Sequence, residues 1–320
     1  MNTNTKEIDY FDILKKAFFM TWHNKFMWFF GFFVCIGSTA AAFNNPEAIQ
    51  PSQLLQWIQL FNQKYPLLSA SLTFLFILAI AALYLLKIVS TAALIKISNN
   101  ITVYRQAKIK TIFAESKEYV WRMLAMEILI GAVTFFIATA IILPIAYLYS
   151  LNSQFLAFTF LIFGFIIISI LIILAFYLVK YGQIFLVLSD SKIKNALESA
   201  YELLEKNLKQ SALFGLISIG LNFLFILLLI LIIFALVLLF SLIGFLLYLF
   251  FAKSGALISL LTMGFVLIIL ILGLFSWFNA FMQSAWVLFF QHLSLEKKED
   301  DKEKETEIET SSIIPDPEAV

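Results

Sequence analysis

Residues 212–251 run for about forty positions without a charged side chain, and no other stretch limits the fold so severely. At the 1.5 Å rise of an α-helix this is about 60 Å, twice the ~30 Å hydrocarbon core that about 20 apolar residues cross. In hydrocarbon a backbone must satisfy its own hydrogen bonds, so such a run is helical. It is either one long, tilted helix with an interfacial extension or a segment that doubles back. A soluble core cannot absorb it. Of the 320 residues 62% are hydrophobic, 36 are Phe and 13% are charged, against about 25% charged in a soluble domain. The fold class is all-α, a polytopic integral membrane protein.

Five more apolar blocks occupy residues 26–43, 67–86, 120–149, 155–181 and 256–290. Pro66 opens the second, which runs on through Ile97. Pro144 lies in the third and predicts a kink near its outer end. Leu151-Asn-Ser-Gln154 is a tight turn, and Ala252-Lys-Ser-Gly255 separates the last two blocks. These blocks predict about six transmembrane helices.

Between them lie amphipathic stretches. In Asp190 to Lys209, Ile193, Ala196, Leu197, Ala200, Leu203, Leu204 and Leu208 share one helical side, while Lys194, Glu198, Glu202, Glu205 and Lys209 share the other. Joined at both ends to membrane-length segments, such a helix is expected to lie flat in the interface. Residues 4–25 read alike: Asn4 and Glu7 suggest a capped start, and Tyr10, Ile13, Ala17 and Met20 share a face. A third stretch runs from Thr111 to Arg122. The polar loop 44–65 holds Leu54, Leu55, Trp57, Ile58 and Phe61, which suggest a short interfacial helix.

Positive charge sets the topology. Lys and Arg gather in the N-terminal segment, the linker before the third span, residues 180–209 and the tail, whereas the alternate loops hold only Lys64 and Lys253. The positive-inside rule then places both termini and both long linkers in the cytoplasm of a cell membrane. Residues 294–320 carry ten acidic and four basic side chains, leaving about +7 on the body before them. They read as a disordered acidic tail behind a membrane domain of residues 1–293.

That domain reads as three copies of one unit, about 4–98, 99–188 and 189–293, each an amphipathic helix followed by a membrane hairpin. With Ile13, Ile112 and Ala196 in register, the small residues Ala17, Ser116 and Ala200 fall four positions on. The basic or imidazole residues His23, Arg122 and Lys206 fall ten on. Asn24, Met123 and Asn207 fall eleven on. Apolar matches are forced by amphipathicity alone; the small and basic positions are less so.

Ile8-Asp-Tyr-Phe-Asp-Ile-Leu-Lys-Lys-Ala17, followed by Thr21-Trp-His-Asn-Lys-Phe-Met-Trp-Phe-Phe-Gly31, resembles the start of a group of uncharacterised bacterial membrane proteins. Ala196-Leu-Glu-Ser-Ala-Tyr-Glu-Leu-Leu-Glu-Lys-Asn207 resembles the linker of the same group. That group is similar to the membrane domain fused to some glycerophosphodiester phosphodiesterases, and the likeness covers residues 6–292. No soluble segment here is long enough for the phosphodiesterase barrel, and the sequence has no Glu/Asp/His metal constellation. The resemblance implies a membrane module of the bacterial inner membrane without the hydrolase chemistry.

Polar residues at membrane depth are the candidate site. Glu127, about seven residues into the third span, comes level with residues just before Lys180 in a hairpin turning near 151–154; Lys180 and Arg122 are its candidate partners. An ionisable group there is costly and raises a functional hypothesis. Asn222, Asn279, Gln283 and Ser284 form a second set suited to interhelical hydrogen bonds. Asn24 and Asn207 share a repeat position, where an Asn suits a helix terminus or a lipid headgroup. The lone Cys35 excludes an intramolecular disulfide, and two histidines make no zinc-type cluster. No phosphate-binding loop, nucleophile elbow or metalloprotease motif occurs.

The sequence thus predicts a non-catalytic membrane module without cofactor, associated with membrane lipids or with a protein partner at the cytoplasmic face, and gives no sign of nucleic-acid binding. The alternative is a secondary transporter or lipid-translocating protein using Glu127 and Lys180. Oligomeric state is left open, since Gly31, Gly37 and Gly131 form no strong dimer motif.

Overall fold

A computed structural model of the chain describes residues 8–42, 60–101, 108–151 and 153–313. They form α1 (Tyr10–His23), α2 (Phe26–Ala42), α3 (Pro66–Asn99), α4 (Ile109–Ser116), α5 (Val120–Ser150), α6 (Gln154–Leu188) and α7 (Ile193–Lys206). A 3-10 turn at Lys117–Tyr119 joins α4 to α5. Helical backbone then runs from Leu208 to Ile313. Its apolar parts are α8 (Leu208–Phe251) and α9 (Leu257–Ser294). No strand occurs among the described residues. The chain is an all-α polytopic membrane protein.

The long helical run is not a rod. Ser259 Oγ donates to the Phe240 carbonyl at 3.1 Å, although 19 residues of straight helix would separate them by about 28 Å. Phe225 stacks on Phe278 with centroids 4.0 Å apart. One antiparallel register satisfies both contacts. The forty-residue apolar stretch therefore stays extended as α8, and α9 returns alongside it. Among the described residues five helices have membrane length: Pro66–Asn99, Ile109–Ser150, Gln154–Leu188, Leu208–Phe251 and Leu257–Ser294. The described part of the expected first span, α2, has 17 residues, about 25 Å of helix.

Burial changes abruptly along α3 and α6. Leu67, Leu72, Phe74 and Leu75 are exposed, whereas Ile88 to Ile95, Ile97 and Ser98 are buried. On α6, Phe163, Phe165 and Ile170 are exposed, and burial becomes dense from Tyr177 to Val187. The change falls at Tyr84-Leu-Leu-Lys87 in one helix and Tyr177-Leu-Val-Lys180 in the other. Apolar surface of this extent suits hydrocarbon; in water it would drive association.

The amphipathic helices obey a common register. Tyr10, Ile109 and Ile193 each begin a helix three residues before the aligned Ile13, Ile112 and Ala196. The small residues Ala17, Ser116 and Ala200 are all 0% exposed. A larger side chain would hold the helix away from its neighbours, which explains the shared smallness. Asp9 Oδ1 accepts from the Asp12 N–H at 3.0 Å, capping α1. The start expected at Asn4 and Glu7 lies outside the described residues, as do Trp57 and its neighbours in the 44–65 loop except 60–65, where 60–64 are helical.

Much of the apolar side of Asp190–Lys209 is covered by the protein itself. In α7, Ala196, Ala200, Leu203 and Leu204 are buried, and the helix packs against α6. The Leu197 side chain lies 3.8 Å from where a Cβ on Gly182 would stand. Asp190 adopts φ 47°, a left-handed conformation that Asp tolerates better than most residues, and it turns the chain back from α6 into α7.

The chain divides into two discontinuous compact bodies, one of Met1–Lys16, Ala125–Leu213 and Ala285–Val320, the other of Ala17–Leu124 and Phe214–Ser284. In the first, α7 covers the buried end of α6, Tyr181 lies against Trp286 and Phe290, and the Tyr10 ring stands 6.2 Å from Phe289. In the second, Met27 and Phe30 of α2 pack with Ala93, Leu94 and Ile97 of α3, Ile112 of α4 and Ala280 of α9. Each body draws on all three sequence units, so compactness follows packing rather than chain order. The backbone of the acidic tail, expected to be disordered, is helical as far as Ile313.

Candidate functional site

The first body contains a polar cluster at the buried end of α6. Gln183 Nε2 donates to Glu127 Oε1, joining α6 to α5. Gln183 is buried and Glu127 half-buried. Lys180 is also half-buried and, three residues before Gln183, shares its side of α6. One turn away, Tyr177 Oη donates to the Ser211 carbonyl at 2.9 Å and Tyr181 Oη lies 2.8 Å from Ser211 Oγ. Two tyrosines thus clasp the opening turn of α8. Packing is close here: a Cβ on Gly182 would stand 2.7 Å from Sδ of the flexible Met126 side chain.

Glu127 was expected opposite Lys180 or Arg122; Gln183 is a hydrogen-bond partner that the sequence reading did not name. Sequence inspection passed over Gln183, Tyr177, Tyr181 and Ser211. A signal was present: Tyr177 and Tyr181, four residues apart, share one side of an otherwise apolar span, and Gln183 lies on another with Lys180.

The second polar set lies in the second body. Asn222 Nδ2 donates to the Ser218 carbonyl at 2.8 Å and Asn279 Nδ2 to Phe275 at 2.8 Å, both within their own helices. The cross-helix bond expected of Asn222 is therefore replaced by a local one. Ser98 and Ser284, both buried, do join α3 to α9 through a 2.9 Å hydroxyl contact. Gln283 is buried beside Ser284.

Asn24 and Asn207 share a role. Asn24 donates to the Met20 carbonyl from Nδ2 at 2.7 Å and from its backbone at 3.2 Å. Asn207 donates to Leu203 at 3.1 Å from each. Each doubly caps the last turn of its amphipathic helix, satisfying a carbonyl the helix leaves open. Met123 replaces Asn in the middle unit, where α4 runs through the 3-10 turn into α5 and leaves no end to cap.

A basic and aromatic edge completes the second body. Lys96 Nζ stands 3.6 Å from Glu115 Oε2 and 4.9 Å from the centroid of the buried Tyr119 ring. The Arg122 guanidinium lies 5.7 Å from the same centroid, and Lys117 Nζ lies 5.4 Å from that of Phe113. Trp121 next to Arg122 is 72% exposed. Separately, Phe18 stacks on Trp22, and both rings meet Trp277 edge-on.

Among the described residues no group of three or more His, Cys, Asp or Glu is placed to hold a metal. These arrangements are those of a membrane protein whose polar groups join helices. Comparison of the chain with family models, with characterised proteins and with solved structures finds no match.

Proposed function

We propose that the chain is a non-catalytic, lipid-associated module of the cell membrane, with both termini in the cytoplasm and its amphipathic helices at the cytoplasmic face. The observation that carries this reading is the outer side of α1. Ile13, Ala17 and Thr21 are buried, yet Phe11, Phe18, Phe19 and Trp22 remain exposed beside exposed Lys15, Lys16 and Lys25. Removing one large apolar side chain from water is worth roughly 1.5–3 kcal/mol, and lysines flanking such a face favour an anionic leaflet. The resemblance to the phosphodiesterase membrane domain belongs to this reading.

The test is extraction of the full chain with its surrounding native membrane into polymer discs, followed by lipid analysis and identification of co-purified protein. Enrichment of anionic lipid over the bulk membrane supports the proposal; neither retained lipid nor partner would refute it. The transport alternative rests on the half-buried Glu127 bound to Gln183. E127Q keeps the size of the side chain and removes its charge. A folded E127Q chain with lipid or solute flux unchanged from the parent would remove that alternative.

A further inference from the structure

We infer that Trp277, with Phe18 and Trp22 around it, seats the glycerol-ester region of a phospholipid, its indole N–H donating to an acyl-ester carbonyl. This rests on the lipid-association reading above and gives it a site and a chemical group. Trp277 Nε1 is buried and has no hydrogen-bond partner among the described residues, and an N–H withdrawn from water without an acceptor is costly. Trp28 shows the satisfied case: its Nε1 donates to the Thr21 carbonyl at 3.0 Å. Two rings meet Trp277 edge-on, Phe18 at 5.5 Å and Trp22 at 5.9 Å between centroids, and both are exposed on the outer side of α1. Phe281, stacked on Trp277 at 5.8 Å, is buried. Exposed side chains change rotamer within nanoseconds, so an acceptor reaches the indole by displacing Phe18 and Trp22 rather than a helix.

Depth identifies the acceptor. From Leu257 to Trp277, α9 is about 30 Å long, the thickness of the hydrocarbon core. From Pro66 to Lys87, α3 has about the same length. Ala280 packs with Ala93 and Leu94, and Ser284 meets Ser98, so α3 and α9 run parallel. Lys87 and Trp277 then fall within about 6 Å of one level. Exposure gives way to burial there on α9 as on α3: Phe265, Ile268 and Ile269 are exposed, whereas Phe278, Ala280 and Phe281 are buried. An indole and a snorkelling lysine at one depth mark the membrane interface. Exposed Lys25, between Trp22 and Trp28 in the chain, adds positive charge suited to the phosphate of the same lipid. Acyl chains carry no acceptor and the phosphate lies farther out, so the ester carbonyl is the acceptor that a lipid supplies at the indole. The edge-on rings offer a π face as the rival acceptor, a weaker one.

The experiment uses the full chain, isotope-labelled at its tryptophan indoles, in nanodiscs of phosphatidylglycerol with either ester-linked or ether-linked chains. The two lipids share headgroup and chain length, and only the first carries acyl carbonyls. The readout is the magnetic resonance shift of each indole N–H, with W277F assigning the Trp277 signal. That signal is expected to lie downfield in the ester discs and to move upfield in the ether discs. The Trp28 signal should stay in place, because Thr21 holds its proton in both. A Trp277 signal that is the same in both lipids overturns the site, and one that is upfield in both shows a proton held by the neighbouring rings instead. Should W277F fail to fold by circular dichroism and gel filtration, W22F, W28F, W57F, W121F and W286F assign the Trp277 signal by elimination. Lipid retained in the disc extraction together with a Trp277 signal indifferent to the ester refutes this site and leaves the general reading standing. Neither retained lipid nor partner, with the same indifference, refutes both.

Discussion

Substitution of Gly31 by alanine tests the packing most directly. Ser276 Oγ donates to the Trp28 carbonyl, drawing α9 so close to α2 that a Cβ on residue 31 would press into the Ser276 carbonyl. It would stand 3.0 Å from that carbonyl carbon and 3.2 Å from the Ala280 Cβ. These atoms belong to backbone and to a one-carbon side chain, so none can swing away and a helix must move. Overpacking of this kind costs about 1–3 kcal/mol, and loss of the Ser276 hydrogen bond adds roughly 0.6–1.5 kcal/mol. Against this, alanine gains about 1 kcal/mol of helix propensity over glycine. G31A is therefore expected to be less stable by about 1–3 kcal/mol in reversible dodecyl sulfate unfolding from mixed micelles. Gly131 supplies the control, because nothing lies within 4 Å of its hypothetical Cβ. G131A has the propensity gain and none of the cost, so the difference between the two variants should be about 2–4 kcal/mol. Equal stability of G31A and G131A would refute the contact between α2 and α9.

Further substitutions probe the repeat and the polar joints. A200L should destabilise by about 2 kcal/mol or more through overpacking, and S116A should change little, because Ser116 Oγ donates only to the Ile112 carbonyl of its own helix, at 2.8 Å; both are read by the same unfolding assay. N24A and N207A should each cost about 0.5–1 kcal/mol, and an effect at one position alone would argue against their equivalence as caps. Q183L leaves Glu127 without its amide donor, and a loss of roughly 1–3 kcal/mol is expected, seen as a lower unfolding midpoint; a neutral Q183L would show that the Glu127–Gln183 bond does not hold α5 to α6.

What could be read in advance divides by residue. Ala212 to Phe251 declared a membrane helix because hydrocarbon admits so few alternatives. The 3.6-residue period of Ile193, Ala196, Ala200 and Leu203 declared a helix with one buried side. The period could not say what covers that side, since lipid tails and a protein interior are equally apolar. The expectation of an interfacial helix and the observed packing against α6 satisfy the same pattern. The polar residues show the same division. Glu127 stood out by its charge in an apolar span, but its pairing with Gln183 depends on the rotation of α6 about its axis. Asn24 and Asn207 were legible as an echo, and their role as caps required knowing where α1 and α7 end.

The sequence by itself determined the class, the helical content, the apolar blocks and the register of the three amphipathic helices. All of these follow from local composition, period and the demand that a backbone in lipid satisfy itself. The tertiary structure alone decided that α8 stays extended and α9 returns beside it, that Gly31 meets Ser276, and that Lys96 and Arg122 both approach the Tyr119 ring. Those facts depend on helix rotation and distance between residues far apart in the chain, which local pattern does not encode.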